Sequence, residues 1–265
     1  MAEPRSHATL NYATDGPVAS AVFARPQLRN SITEEALDDL GDVVRSVQAN
    51  GAVRALVISG EGGVFCAGLD DELLERGYAD SELFEHVLTR LAATCFSLES
   101  LEVPVIAKVR GLALGAGLEL AMACDVILAA QDAQLGDGQL SAGVVPGAGA
   151  SIRLARLVGV QRARELIYSG RTISGEQAAA VGLVLSAVPD GELDAATAAL
   201  VAAFADKPRL ALATAKRQIN RGLGLDTPSG VEQERRELIR YLRDAGSDVL
   251  EGLRARREGR APTWR

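Results

Sequence analysis

Short apolar runs alternate with amphipathic stretches along most of this chain, and that alternation limits the fold more than any other feature. The segments "VRALVISG" (53–60), "VPVIAKV" (103–109) and "CDVILAA" (124–130) are apolar and rich in β-branched residues, as buried strands are. The stretch "SELFEHVLTRLAATCFSLESL" (81–101) has the pattern of an amphipathic helix. Glycine-marked turns separate these segments. This order predicts an α/β domain with parallel strands.

The chain begins with a different pattern. Residues 8–24 alternate in polarity around the Asp-Gly pair at 15–16, which predicts a β-hairpin. The segment "NSITEEALDDLGDVVRSVQAN" (30–50) then predicts a helix, since its leucines and valines recur at helical spacing.

Beyond about residue 190 the strands stop, and four helical segments follow, separated by Gly, Pro or Asp. We therefore divide the chain into a core of residues 1–195 and a helical region of residues 196–265. The helical region is expected to pack on the core or on a neighbouring subunit.

Composition excludes several classes of protein. The 265 residues are 48% hydrophobic, enough for one sizeable core, and the net charge of −7 argues against nucleic acid or anionic membranes as partners. The three cysteines, Cys66, Cys95 and Cys124, form no CxxC pair, which favours a reducing compartment over a disulfide framework. No secretory signal or long apolar run is present, so a cytoplasmic protein without a membrane span is expected.

Several familiar chemistries are missing from the sequence. It contains neither the GxxxxGK[ST] phosphate-binding loop nor the GxSxG motif of serine hydrolases. His7 and His86 are the only histidines, which gives little support to a metal site or a histidine-based triad. We expect no metal and no separate cofactor.

Two glycine-bearing turns remain as candidate sites: "VFCAGLD" (64–70) and "LALGAGLEL" (112–120), each just after an expected strand. Ligands of α/β sheets bind at such positions, and small residues let a ligand approach backbone N–H groups closely. Small residues also simply permit tight packing, so either turn alone is ambiguous. The second turn carries Glu119 in an otherwise apolar run, and burying a lone carboxylate is costly without compensation.

Four segments together resemble the crotonase superfamily, the enoyl-CoA hydratase/isomerase family. They are "ARPQLRNSI" (24–32), "VFCAGLDD" (64–71), "GLALGAGLELAMACDVILAAQDAQLG" (111–136) and the block from "GVVPGAGAS" (143–151) to residue 189. The resemblance implies a spiral of repeated ββα units with a helical C-terminal region used in trimer contacts. It also implies a homotrimer, or a hexamer built as a dimer of trimers. The implied substrate is an acyl-CoA thioester, so coenzyme A is part of the substrate and no separate cofactor is implied.

The resemblance also implies roles for individual residues. The backbone N–H groups of Ala67 and Ala116 would form an oxyanion hole for the thioester oxygen, and Glu119 would be the acid/base. An oxyanion-hole donor is typically worth roughly 10²–10³ in rate. The residues implied to contact coenzyme A or substrate are Arg25, Leu28, Ala67, Gly68, Leu69, Asp70, Gly115 and Gly147.

One departure from the family pattern affects the chemistry. Hydratases of this family carry a second glutamate after the "AQLG" segment, where this chain has Gln139. An amide orients water but does not exchange protons at neutral pH, so ordinary hydratase activity is in doubt. Asp137 either reaches the site or is an ordinary turn residue. Three alternatives stay open: a lyase or isomerase using Glu119 alone, a hydratase in which Gln139 positions water, and a CoA-thioester-binding protein with little turnover.

Overall fold

The structure, a computed structural model, describes residues 5–264 and contains two β-sheets in that range. The strands are β1 (Arg5–Ser6), β2 (Leu10–Asp15), β3 (Val18–Phe23), β4 (Ala55–Gly60), β5 (Val105–Val109), β6 (Leu112–Leu114), β7 (Val126–Ala130), β8 (Gln134–Gly136), β9 (Ile173–Ser174) and β10 (Ser186–Val188). The larger sheet has the order β1-β2-β3-β4-β5-β7-β10 and the smaller one β6-β8-β9. From β3 to β10 the larger sheet is parallel, as the sequence predicts.

The helices cover the sheets and make up the C-terminal end. They are α1 (Glu34–Ala49), α2 (Asp71–Ala79), α3 (Ser81–Ser100), α4 (Ala116–Met122), α5 (Ala150–Val158), α6 (Val160–Ser169), α7 (Gly175–Ala180), α8 (Leu193–Ala205), α9 (Arg209–Gly222), α10 (Thr227–Asp244) and α11 (Gly246–Glu258). The predicted hairpin is confirmed, with β2 antiparallel to β3 and Gly16 at a left-handed φ of 54° in the turn. None of the helices in the described range is long and apolar enough to cross a membrane.

Two successive ββα units build the centre of the fold. In the first, β5 joins the large sheet, β6 joins the small sheet, and α4 follows. In the second, β7 and β8 take the same two places and α5 follows after a longer turn. The units therefore stack with β6 parallel to β8. This arrangement puts the start of α4, the end of β8 and the turn before α5 close to one another.

The turn after β4 is fastened to β6 through one residue. The Cys66 N–H donates to the Leu112 carbonyl (2.9 Å), and the Cys66 carbonyl accepts from the Leu114 N–H (3.1 Å). Gly117, in the first turn of α4, packs directly on the same residue, since a Cβ there would lie 2.4 Å from the Cys66 carbonyl oxygen. The two glycine-bearing turns singled out in the sequence are therefore in contact.

The C-terminal helices are attached to the core by a partly buried ion pair. The Lys216 ammonium on α9 donates to the Asp125 carboxylate (2.7 Å) and to the Leu98 carbonyl (2.8 Å). The boundary placed at residue 195 falls inside α8, whose Leu193 and Val201 are buried against the large sheet. Helix α8 thus belongs physically with the core, whereas α10 packs mainly on α9.

We predict that Gly117→Ala lowers the free energy of unfolding by about 1–3 kcal/mol, the usual cost of overpacking, because the Cys66 backbone cannot move without breaking its two hydrogen bonds. Gly222→Ala is the control: nothing lies within 4 Å of a Cβ at this helical position. Urea denaturation measures both variants. Equal stability of Gly117→Ala and the control would contradict the tight contact.

Candidate active site

Glu119 is buried on α4, only 1% exposed, and its carboxylate is held by the turn before α5. Its Oε1 accepts hydrogen bonds from the N–H groups of Ala148 (3.0 Å) and Ala150 (2.9 Å). Amides at the start of a helix lack intrahelical acceptors, and the positive end of the helix dipole favours a carboxylate. The turn therefore supplies the compensation that a buried glutamate requires.

Arg153, in the first turns of α5, supports the turn before that helix. It is 9% exposed, its Nη1 donates to the Ala148 carbonyl (2.7 Å), and its Nε donates to the Glu99 carboxylate (2.6 Å). One guanidinium thus fixes the segment that holds Glu119 and places a positive charge nearby. The ion-pair partner of Arg153 is Glu99. Arg153 therefore supports Glu119 indirectly, through the turn that contains Ala148.

The environment of Glu119 favours proton transfer. Burial raises the pKa of its carboxyl group, and Asp137 raises it further when ionised, whereas the Ala150 and Ala148 amides and Arg153 oppose the rise. Among the described residues, only Oε1 receives hydrogen bonds, so Oε2 is left without a donor. A carboxylate with a raised pKa and one uncommitted oxygen suits general acid–base catalysis near neutral pH.

The structure places the Ala67 amide differently from the expectation. Its N–H donates to the Arg29 carbonyl at 3.1 Å, so this donor is already engaged. In this structure the Ala67 N–H is therefore engaged, and its part in an oxyanion hole stays a prediction. This hydrogen bond depends on tertiary structure, because its acceptor lies 38 positions earlier in the chain, in the loop before α1.

A free amide lies two residues further along the same turn. The Ile32 N–H donates to the Gly68 carbonyl (2.8 Å), and its carbonyl accepts from the Asp70 N–H (2.9 Å). In a parallel pairing of this kind the residue between, Leu69, directs its own N–H to the opposite side. No described residue accepts a hydrogen bond from it. Leu69 thus directs an open amide away from Ile32, and the Gly68 N–H likewise has no acceptor among the described residues.

The second amide belongs to Ala116, the first residue of α4, which has no intrahelical acceptor. The preceding Gly115 takes a left-handed φ of 49° and donates its N–H to the Gly136 carbonyl (3.0 Å), which fixes the turn. A Cβ on Gly68 would lie 3.9 Å from the Ala116 nitrogen. The Leu69 and Ala116 amides therefore lie on turns that touch.

A cleft of about 620 Å³ opens beside the first turn. Its walls include five of the residues expected to bind ligand: Arg25, Leu28, Ala67, Leu69 and Asp70. The Asp70 carboxylate caps α2 and accepts from the Ser31 hydroxyl (3.0 Å), so it mainly shapes the wall. Leu28 is 42% exposed at the rim. The cleft thus runs from the surface to the Leu69 amide.

Gly147 lies outside this cleft. It lines a separate apolar groove of about 610 Å³ along α3, together with Leu88 and Phe96. A Cβ at Gly147 would lie 2.9 Å from the Leu88 side chain, so the absence of a side chain allows the turn before α5 to approach α3. Gly147 therefore positions the neighbouring Ala148 amide that holds Glu119.

Asp137 and Gln139 follow β8. Asp137 is 3% exposed, and within residues 5–264 neither of its carboxyl oxygens has a side-chain hydrogen-bond partner. A role in the site and a turn residue both stay predictions. Burial raises the pKa of this carboxyl group, opposed only by the nearby Gln139 N–H. Gln139 opens a short 3-10 turn and is half-buried, and its side-chain amide makes no hydrogen bond among the described residues.

Sequence reasoning missed the groups that support Glu119: the Ala148 and Ala150 amides and Arg153. A signal for the amides was present, because "PGAGAS" (146–151) is a glycine-rich turn that opens a helix, and such turns leave N–H groups free. Which carboxylate accepts hydrogen bonds from these N–H groups depends on how the two ββα units stack. The sequence pattern does not reveal that stacking.

Comparison with known proteins identifies the family of this chain. The enoyl-CoA hydratase/isomerase family model matches residues 14–265. The chain is 35% identical over 242 residues to the mitochondrial methylglutaconyl-CoA hydratase of Rattus norvegicus, covering 89% of this chain and 76% of that protein. It is 37% identical over 254 residues to enoyl-CoA hydratase domain-containing protein 2 of Bos taurus, covering 93% and 84%.

A solved structure is similar over nearly the whole chain. The enoyl-CoA hydratase of Bacillus anthracis superimposes with a TM-score of 0.92 at 33% identity, covering 97% of this chain and 98% of that one. The fold expected from the resemblance, with its ββα units and helical C-terminal region, is confirmed. This chain belongs to the enoyl-CoA hydratase/isomerase family, the crotonase superfamily.

Proposed function

We propose that this protein moves protons at the α-carbon of acyl-CoA thioesters, with Glu119 as the base. The observation that carries the proposal is the state of the Glu119 carboxylate: Oε1 is fixed by two amides while Oε2 has no donor. A glutamate buried only for structural reasons would have both oxygens satisfied. The acyl-CoA substrate agrees with the family to which the chain belongs.

In the proposed reaction the thioester oxygen accepts hydrogen bonds from the Leu69 and Ala116 amides. Glu119 Oε2 takes a proton from the α-carbon, and the electron pair of that C–H bond moves towards the carbonyl, leaving negative charge on the oxygen. Two preorganised donors stabilise this enolate in a site that excludes water. Leu69 replaces Ala67 in the proposal because the Ala67 amide is bound to Arg29.

Coenzyme A is proposed to enter through the cleft that ends at Leu69. Arg25 and Arg29 lie on its wall and are the right type of group for phosphates. Because the Glu119 side chain is almost fully buried, the acyl group must pass between the two turns to meet it. The acyl group, once bound, completes the exclusion of water from the carboxylate.

The test is exchange of the α-protons of butyryl-CoA with D₂O, which needs one base and the oxyanion hole. We expect Glu119→Gln to lower the exchange rate by about 10²-fold or more, while the Gln oxygen still accepts from Ala148 and Ala150. In the wild type the rate should fall as pH drops through the raised pKa of Glu119, because the carboxylate is the active form.

Glu75→Gln, on the exposed face of α2, is the matched control and should exchange at the wild-type rate. Butyryl-CoA should raise the melting temperature of all three proteins, which reports binding separately from turnover. Binding without exchange in the wild type would favour the alternative of a CoA-thioester-binding protein. Exchange by Glu119→Gln at the wild-type rate would remove Glu119 as the base.

We also infer a trimer or hexamer in solution. Large apolar side chains are exposed on the C-terminal helices and the loop between α9 and α10: Ile219, Leu223, Leu225, Val231, Leu238, Ile239, Leu242, Leu250 and Leu253. Exposed apolar area of this extent marks an interaction surface. Light scattering should give the mass of three or six chains, and a single-chain mass at micromolar concentration would contradict the inference.

A further inference from the structure

We propose that Asp137 is the second acid/base residue of this site and donates the proton that Glu119 does not handle. The inference rests on the proposed function and extends it from proton exchange to hydration. The resemblance implies a glutamate at position 139, where this chain has Gln139, and Asp137 lies two residues before it.

The backbone places Asp137 beside the start of α4. Gly136, the last residue of β8, pairs with Leu114 and accepts a hydrogen bond from the Gly115 N–H (3.0 Å). The Asp137 carbonyl oxygen would lie 3.5 Å from a Cβ on Gly115. Gly115 in turn accepts from the Glu119 N–H (3.0 Å), so β8 ends against the turn that opens α4. The two carboxyl groups are close enough for the charge of one to act on the other.

Asp137 is only 3% exposed, and both of its carboxyl oxygens are buried. No side chain within residues 5–264 donates a hydrogen bond to either oxygen. Native proteins rarely leave a buried carboxyl group without hydrogen bonds, and the exceptions concentrate where the group acts on a ligand. A neutral carboxylic acid is the form that tolerates such a place, because an unpaired buried carboxylate is far more costly. The side chain of Asp137 is therefore an available proton donor.

The two carboxyl groups have opposite surroundings. Glu119 has two amide donors and the Arg153 guanidinium, whose other partner is Glu99, and these groups favour its charged form. The neighbouring Cys95 thiol, with a pKa raised to about 12, stays neutral. Asp137 has only the backbone N–H of Gln139 to favour its charged form, and no side chain within residues 5–264 donates to it. Because Glu119 has the stronger set of donors, we assign the proton shared by the two carboxyl groups to Asp137.

With these two residues, each proton that moves in the hydration of a 2-enoyl thioester has a donor and an acceptor. A water molecule adds its oxygen to the β-carbon, and Glu119 takes one proton from that water. The α-carbon accepts a proton from the Asp137 carboxylic acid as the enolate collapses. The product is a 3-hydroxyacyl thioester, with Glu119 protonated and Asp137 ionised. Transfer of one proton from Glu119 to Asp137, directly or through solvent, restores the resting site.

The activity test compares Asp137→Asn with Asp132→Asn, a change of the same type at an exposed position before β8. Each is assayed for hydration of short-, medium- and long-chain 2-enoyl-CoA and for α-proton exchange of butyryl-CoA. We expect Asp137→Asn to lose hydration by about 10²-fold or more and to lose clearly less of its α-proton exchange, because the base for exchange is Glu119 whereas hydration also needs a separate acid. Asp132→Asn should keep both.

Three outcomes overturn the role. The first is hydration by Asp137→Asn at the wild-type rate. The second is an equal loss of exchange and hydration in Asp137→Asn, since equal loss indicates a structural residue. A wild type that exchanges but hydrates none of the substrates also overturns it. A wild type that does not exchange instead refutes the proposed function itself, so the two failures are distinguishable.

Stability against pH gives a readout that needs no substrate. The pKa of Asp137 is raised in the folded state, so the wild type loses stability relative to Asp137→Asn as pH rises from about 4 through that raised value. The melting temperature of Asp137→Asn minus that of the wild type should become more positive over this range, whereas the difference for Asp132→Asn should stay flat. A flat difference for Asp137→Asn would show that its acid is not held neutral.

Discussion

Everything in the site depends on the backbone contact between the turn after β4 and strand β6. Cys66 makes hydrogen bonds to Leu112 and Leu114, and Gly117 is small enough to pack on it. These bonds hold the turn against β6, and the pairing of Leu69 with Ile32 leaves the Leu69 amide open. The same contact brings the first residue of α4 alongside. An amide from the turn after β4 and one from the first ββα unit thereby lie on touching turns before any ligand binds, which is what preorganisation requires.

The turn before α5 explains how a glutamate can be buried in the apolar segment of α4. Its amides and the nearby Arg153 make ionisation of Glu119 tolerable in a buried place, without an ion pair that would occupy both oxygens. Asp137 lies close by and has none of these supports. Two acids in one site with different surroundings hold their protons differently, and such a difference is the physical basis for separate acid and base roles.

The sequence predicted those parts of the fold that depend on local periodicity. The hairpin at Gly16, helix α3 and the parallel strands follow from alternation, helical spacing and β-branched runs, and each is present. Glu119 was identifiable because it interrupts an apolar run beside a glycine turn. The family resemblance then supplied the substrate class and the ββα arrangement.

The remaining features depend on long-range contacts. Whether Ala67 or Leu69 offers its amide is decided by Arg29 and Ile32, which lie in another loop, and no spacing rule reveals that pairing. The burial of Asp137 depends on how β8 ends against Gly115. Asp137 therefore had two open interpretations in the sequence, and the sequence pattern does not separate them.

The most direct test of the account is a crystal structure of the protein with acetoacetyl-CoA bound. The account predicts the thioester oxygen about 2.7–3.1 Å from both the Leu69 and the Ala116 nitrogen atoms, with the α-carbon facing Glu119 Oε2. A thioester oxygen that contacts neither amide, or a Glu119 carboxylate directed away from the acyl group, would contradict it.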